Sequence, residues 1–133
     1  MPTVATQTQV QIRRSVGYLL GAVYAGTTTS AGTVTTTVDS TLKGGADEHR
    51  GKWVHPTSGG NSGSTKQATA FTAASGTITH DAFSTAMANS VTFDLFDEDL
   101  PPARIDDFIN RAVRDATGRV LIDATDRTVH TST

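Results

Sequence analysis

The chain has 133 residues, enough for one small domain with a single modest core. Its formal net charge is −2, which excludes the strongly basic surface that binds nucleic acid. It has no cysteine, so disulfides and thiolate zinc sites are excluded, and it has no apolar run that predicts a membrane span or a signal peptide. We therefore predict one domain over residues 1–133 with no membrane contact and no specific nucleic-acid partner.

Threonine is the most unusual part of the composition. It occupies 24 positions, while aromatic residues make up only 6% of the chain. Its β-branched side chain favours strands, especially strands with one solvated face. Mucin-like or disordered sequence is the rival interpretation, but the Thr runs alternate with Val and Ile rather than with Pro. The composition thus favours a β-rich protein with polar strand faces.

The first predicted element is a helix over residues 6–20. Thr6 or Thr8 can cap its start, and Gly21 marks its end. Gly17, inside the helix, costs roughly 1 kcal/mol relative to Ala and suggests close packing there. An apolar stripe at helical spacing, opposite Gln and Arg side chains, predicts the buried face. The stripe consists of Val10, Ile12, Val16, Leu19 and Leu20.

Short strands are predicted across residues 32–96. Near the start of this region, Val and Thr alternate with the period of a half-buried strand. Segments rich in Gly, Ser and Pro separate the strands, and residues 57–65 are predicted to form an exposed loop. About five short strands at hairpin spacing favour a small antiparallel barrel or sandwich. The predicted strands are residues 34–38, 51–55, 66–72, 76–80 and 91–96.

A second helix is predicted over residues 102–117. Two prolines precede it, acidic residues lie in its first turns and arginines near its end, as the helix dipole favours. Gly118 is the expected C-cap. Residues 119–133 are predicted to form an extended C-terminal arm, suited to pairing with a neighbouring subunit.

Together these elements predict an α+β fold, with two packed helices flanking a small antiparallel β-barrel or sandwich. We expect the Ile105 face of the second helix to pack on the Leu20 face of the first. Replacing Phe108 by Ala is accordingly expected to cost roughly 3–5 kcal/mol and to leave the protein insoluble. The predicted core residues are Val16, Leu20, Trp53, Phe93, Ile105, Phe108 and Ile109.

Motifs that carry catalysis or bind metals are not found in the sequence. The four histidines lack zinc-ligand spacing, no serine lies in a nucleophile elbow, and the glycine-rich stretches lack the Lys and Thr of a phosphate loop. Asp94, Asp97, Glu98 and Asp99 are close in sequence but lack the spacing of a calcium loop. We predict a protein that is not an enzyme and that has no cofactor and no metal.

Basic residues are concentrated at two places, near the middle of the first helix and near the turn before Trp53. One interpretation is a solvated surface. The other is a contact with acidic groups across a subunit interface, because Arg forms bidentate pairs with carboxylates. The candidate interface residues are Arg13, Arg14, Arg50 and Lys52, with Lys43 nearby.

Three segments carry a resemblance to a known group of proteins. They are Leu42–Val54, which contains an acidic pair followed by Gly-Lys-Trp-Val, the hairpin segment Ser75–Thr79, and Arg104–Val113 with its Ile-Asn-Arg-Ala helix. In this order they resemble tailed-bacteriophage virion proteins that are encoded among head and tail genes.

This resemblance implies a head–tail connector or adaptor, a virion protein assembled in the host cytoplasm. The implied partners are copies of itself in a ring and other virion proteins such as portal, stopper or capsid. A capsid decoration protein or minor tail protein remains an alternative. A carbohydrate- or receptor-binding module is a third, although sugar sites favour exposed aromatic residues and this chain has one Trp and two Tyr.

Overall fold

The structure is a computed structural model that describes the backbone of residues 8–131 and the side chains of residues 8–117. Its two helices and six-stranded antiparallel sheet confirm the predicted α+β class. The elements, in chain order, are α1 (Gln9–Leu19), β1 (Val23–Thr27), β2 (Thr36–Val38), β3 (Trp53–Pro56), β4 (Lys66–Thr72), β5 (Thr77–His80), β6 (Thr92–Phe96) and α2 (Pro102–Thr131).

The strands lie in the order β1-β6-β3-β4-β5-β2, and every neighbouring pair is antiparallel. β4 and β5 form the predicted hairpin, with Gly76 at a φ of 65° in the connection. β1 and β2 stand at opposite ends of this order. An isolated antiparallel bridge between Ser30 and Val38 nevertheless joins the segment after β1 to β2.

Strand β6, which lies between β1 and β3, is buried on both faces. Phe93 and Leu95 contribute to the apolar core of the sheet, whereas Asp94 and Phe96 point to the opposite face. Asp94 is bound there by a side chain of α1. Helix α1 therefore covers the face of β6 that is opposite the apolar core. The core cluster consists of Leu42, Val54, Ala68, Phe71, Ile78, Phe83, Met87, Val91, Phe93 and Leu95.

Helix α1 begins at a capping box, in which Thr8 and Gln11 bind each other's backbone amides. Its buried residues are Arg13 and Gly17. Gly17 packs so closely on Val23 of β1 that a Cβ would lie 2.8 Å from the Val23 side chain. The predicted apolar stripe is therefore only partly buried: Val10, Ile12 and Val16 are half-buried, whereas Leu19 is 88% and Leu20 60% exposed. The absence of a side chain at position 17 decides which face packs.

Helix α2 continues through Gly118 to Thr131, so the predicted extended arm is wrong over residues 119–131. Residues 132–133 lie outside the described part of the chain, as do residues 6–7 of the predicted first helix. A glycine inside a helix costs only about 1 kcal/mol, and no proline follows Gly118 to stop the helix. The predicted β-region also begins too late, because β1 precedes residue 32.

The seven predicted core residues fall into three groups. Phe93 and Ile105 are fully buried. Val16, Trp53 and Ile109 are half-buried. Leu20 and Phe108 are exposed, at 60% and 47%. The predicted packing of the Ile105 face on the Leu20 face is therefore corrected at Leu20 and Phe108, which are exposed, and the contact between α1 and α2 includes a salt bridge.

Candidate functional site

The best-defined polar site of the described residues lies between the helices and the sheet. Arg13 of α1 forms a bidentate salt bridge with Asp106 of α2. Its Nε donates to Oδ1 at 2.8 Å, and its Nη2 donates to Oδ2 at 2.7 Å. The Arg13 side chain is only 9% exposed, so the pair is largely removed from solvent. This geometry is the strong form of an Arg–carboxylate contact.

The neighbouring Arg14 binds the sheet. Its Nε and Nη2 both approach Oδ1 of Asp94 in β6, at 2.9 and 2.7 Å. Asp94 is fully buried, and its Oδ2 has no hydrogen-bond partner among the described residues. Two consecutive arginines of α1 thus hold two different elements, α2 and β6. We call Arg13, Arg14, His55, Asp94 and Asp106 the ion cluster.

His55 of β3 completes the ion cluster. Arg13 Nη1 lies 3.0 Å from Nε2 of the ring. Because a guanidinium only donates, Nε2 accepts, and the proton of the neutral ring is on Nδ1, which donates to Thr65 Oγ1 at 2.8 Å. Burial, and then the adjacent Arg13 charge, lower the pKa of His55 below its ordinary value of 6.5. The ion cluster therefore contains two arginines, two aspartates and a neutral histidine.

Two of the four candidate interface residues belong to this cluster. For Arg13 and Arg14 the sequence leaves open a solvated surface or a subunit interface, and the structure pairs both within the chain, where they attach α1. Lys52 lies 3.5 Å from Asp97, a partly exposed pair of little energetic weight. Arg50 is exposed. The four candidate interface residues therefore do not form one surface: two belong to the ion cluster and two do not.

Arg50 lines a shallow, open groove of about 430 Å³. Its polar wall includes Gln67, Thr69 and Glu98. The Gln67 amide already donates to the Gly51 carbonyl, and the Thr69 hydroxyl to the Thr79 carbonyl. Two of the four polar side chains that line the groove are therefore committed to the fold.

No group of three side chains able to hold a metal ion occurs among the residues whose side chains are described. Asp94 is paired with Arg14 and Asp97 with Lys52, which separates the acidic residues that are adjacent in sequence. His49 binds the Lys43 carbonyl, and His80 is bound by Thr37 and the Asp81 carbonyl. His130 lies outside the described side chains.

Large apolar side chains are exposed at two places on the helices. The first is the end of α1, where Tyr18, Leu19 and Leu20 are 55–88% exposed. The second is α2, where Phe108 and Val113 are 47% and 58% exposed. From Asn110 to Thr117 every side chain is exposed, so this part of α2 does not pack on the body of the chain. We call Phe108 and Val113, with Ile109, Ala112 and Ala116 between and beside them, the α2 surface.

Sequence reasoning missed His55, Asp94 and Asp106 as members of one site. Asp106 and Asp94 lie 93 and 80 positions from their arginines, so no local spacing links them. The signal that was available is a pair of arginines inside a predicted helix whose apolar stripe is interrupted by Gly17.

Comparison of the chain with profiles of known protein families, with curated proteins and with solved structures gives no match.

Proposed function

We propose that this chain is a non-enzymatic structural subunit of a tailed-bacteriophage particle, a head–tail connector or adaptor that assembles with copies of itself in a ring. The observation that carries the proposal is the α2 surface. A 30-residue helix extends about 45 Å at 1.5 Å per residue, far more than the first two turns, which contain its buried residues Pro102 and Ile105. A helix segment without a packing partner is only marginally stable in water. A neighbouring subunit would supply the missing burial.

The ion cluster supports the same function. A subunit that transmits force or position through its helices needs those helices held rigidly on its β-domain. Two arginines in consecutive positions tie α1 to both α2 and β6. Such largely buried pairs fix geometry more than they add stability.

The β-domain fits the proposal in its details. The segments that carry the phage resemblance become the turn before β3, the β4–β5 hairpin and the first half of α2. We include in the proposal that the sheet closes into a small barrel. Ser30, which follows β1 at one end of the strand order, forms a bridge with Val38 of β2 at the other end. Closure removes the exposed edges that would otherwise pair at random.

Particles provide the direct test of this function. Tailed particles purified from a lysate of cells that carry the gene are expected to contain the chain in a fixed copy number, measured by quantitative mass spectrometry. When a treatment separates tails from heads, we expect to find the chain in the fraction that retains the head–tail junction. A chain that is abundant in the lysate but missing from purified particles would contradict the proposal. A copy number that matches capsid hexamers or trimers would instead support a decoration protein.

A further inference from the structure

His55 is placed where a second proton would break a contact between the helices and the sheet. Nε2 of its ring accepts from Arg13, and Nδ1–H donates to Thr65. Protonation of Nε2 would turn the acceptor into a donor that faces the Arg13 guanidinium. It would also give the ion cluster a net positive charge, because its two arginines and two aspartates now balance.

The groups that surround His55 come from each element packed against it. Arg13 lies on α1, Asp106 on α2 and Asp94 on β6, and the Arg13 charge opposes protonation while both carboxylates favour it. Both carboxylates are already bound, Asp106 by Arg13 and Asp94 by Arg14. The edge of the Phe96 ring contributes an apolar wall, with ring centroids 6.3 Å apart. To neutralise a protonated His55 ring, either carboxylate would therefore have to break its salt bridge with an arginine.

We propose that His55 is an acid-sensitive latch, and that protonation of its ring detaches α1 and the start of α2 from the sheet while the sheet stays folded. The sheet and the helices are stabilised by different interactions. The sheet is held by continuous strand pairing and by an apolar core on its other face. The helices are held by the ion cluster, the Gly17–Val23 contact and the burial of Ile105.

A second buried histidine lies away from the ion cluster. Burial also lowers the pKa of His80 of β5, whose Nδ1 donates to the Asp81 carbonyl and whose Nε2 lies 2.9 Å from Thr37 Oγ1. It lies in the sheet and makes no hydrogen bond to either helix among the described residues. It therefore supplies a matched control for the effect of burying any histidine.

Hydrogen exchange at single-residue resolution tests the latch, at about pH 7.5 and about pH 5.5 with the intrinsic exchange rates corrected. The opening constant of the α1 amides is expected to rise up to tenfold per pH unit below about 6.5, the range in which the detached state binds the proton more tightly. The amides of β3, β4 and β6 should change much less. His80→Gln should retain this response.

His55→Gln should abolish it, since its side-chain oxygen can accept from Arg13 but cannot be protonated. An unchanged acid response of α1 in His55→Gln would overturn the proposal. So would an equal response of helix and strand amides in the wild-type chain. If His55→Gln fails to fold, the titration of the wild-type His55 ring proton by NMR replaces it. A ring that titrates without any change in α1 exchange would then overturn the latch.

Discussion

At the scale of single residues, buried polar side chains form salt bridges that join particular elements of the fold. Arg13 and Arg14 look alike in the sequence, yet one binds α2 and the other binds β6. Their residue type and their position on a helix could be predicted. Their partners could not, because the partners are brought close only by the tertiary fold.

Replacing Arg13 by Ala is expected to lower the free energy of unfolding by about 3 kcal/mol, because Asp106 loses its bidentate partner and His55 loses its donor. Urea unfolding followed by circular dichroism measures the change. Arg111→Ala, on the exposed part of α2, is the matched control and should lie within about 0.5 kcal/mol of the wild type. Equal stability of the two variants would mean that the cluster adds nothing.

Acidification is expected to reduce the stability of the chain. Burial lowers the pKa of both His55 and His80 in the folded state, below the ordinary value of 6.5. The unfolded chain therefore binds more protons below about pH 6.5, and the free energy of unfolding falls as the pH drops through that value. Urea midpoints at about pH 7.5 and 5.5 measure the fall. His80→Gln should reduce it, and a midpoint that rises on acidification would contradict this assignment.

At the scale of elements, hydrophobic periodicity and the Gly and Pro residues between segments predicted most of the strands and the starts of the helices. β3, β4, β5 and β6 and both helix starts lie close to their predicted positions because alternation, Gly turns and prolines mark them locally. β1 was missed because its five residues include Gly26 and show no alternation of apolar and polar residues. The predicted end of α2 at residue 117 is wrong because a lone glycine costs too little to stop a helix.

Gly17 is the residue on which the docking of α1 depends. Gly17→Ala should improve helix propensity by roughly 1 kcal/mol, yet its Cβ would overlap Val23 of β1. We expect a net loss of about 1–2 kcal/mol, since overpacking costs more than the propensity gains. Thermal unfolding measures it, and Ser15→Ala on the exposed side of α1 is the control. A stabilised Gly17→Ala would show that α1 can shift away from β1 at little cost.

Phe108 and Ile105 lie one turn apart on α2 but differ in burial. Phe108 is 47% exposed, so Phe108→Ala should cost about 1 kcal/mol in the isolated subunit instead of the larger loss expected from its apolar pattern alone. Ile105 is fully buried, and Ile105→Ala should cost about 3 kcal/mol. Urea unfolding of dilute protein separates the two. A larger loss for Phe108→Ala would place its ring in the core.

At the scale of the whole molecule, the described residues form a β-domain with an apolar core, with α1 attached on the face opposite that core and α2 bound to α1. The helices also carry its large exposed apolar side chains, apart from Val34 among the described residues. Neither helix in the described part has the length and apolar content to cross a bilayer. A helix face that was predicted to be core is thus left available to a partner. The sequence pattern could identify the face as apolar, but it could not tell internal packing from assembly.

The mass of the purified chain in solution tests self-assembly most directly. Size-exclusion chromatography with light scattering should give a single species with a mass several times that of one chain. A variant with Phe108→Asp and Val113→Asp should be monomeric, with the circular dichroism of a folded protein, because both changes lie on the exposed α2 surface. A wild-type chain that stays monomeric at the highest concentration reached would contradict the account, as would an assembly that this variant leaves intact.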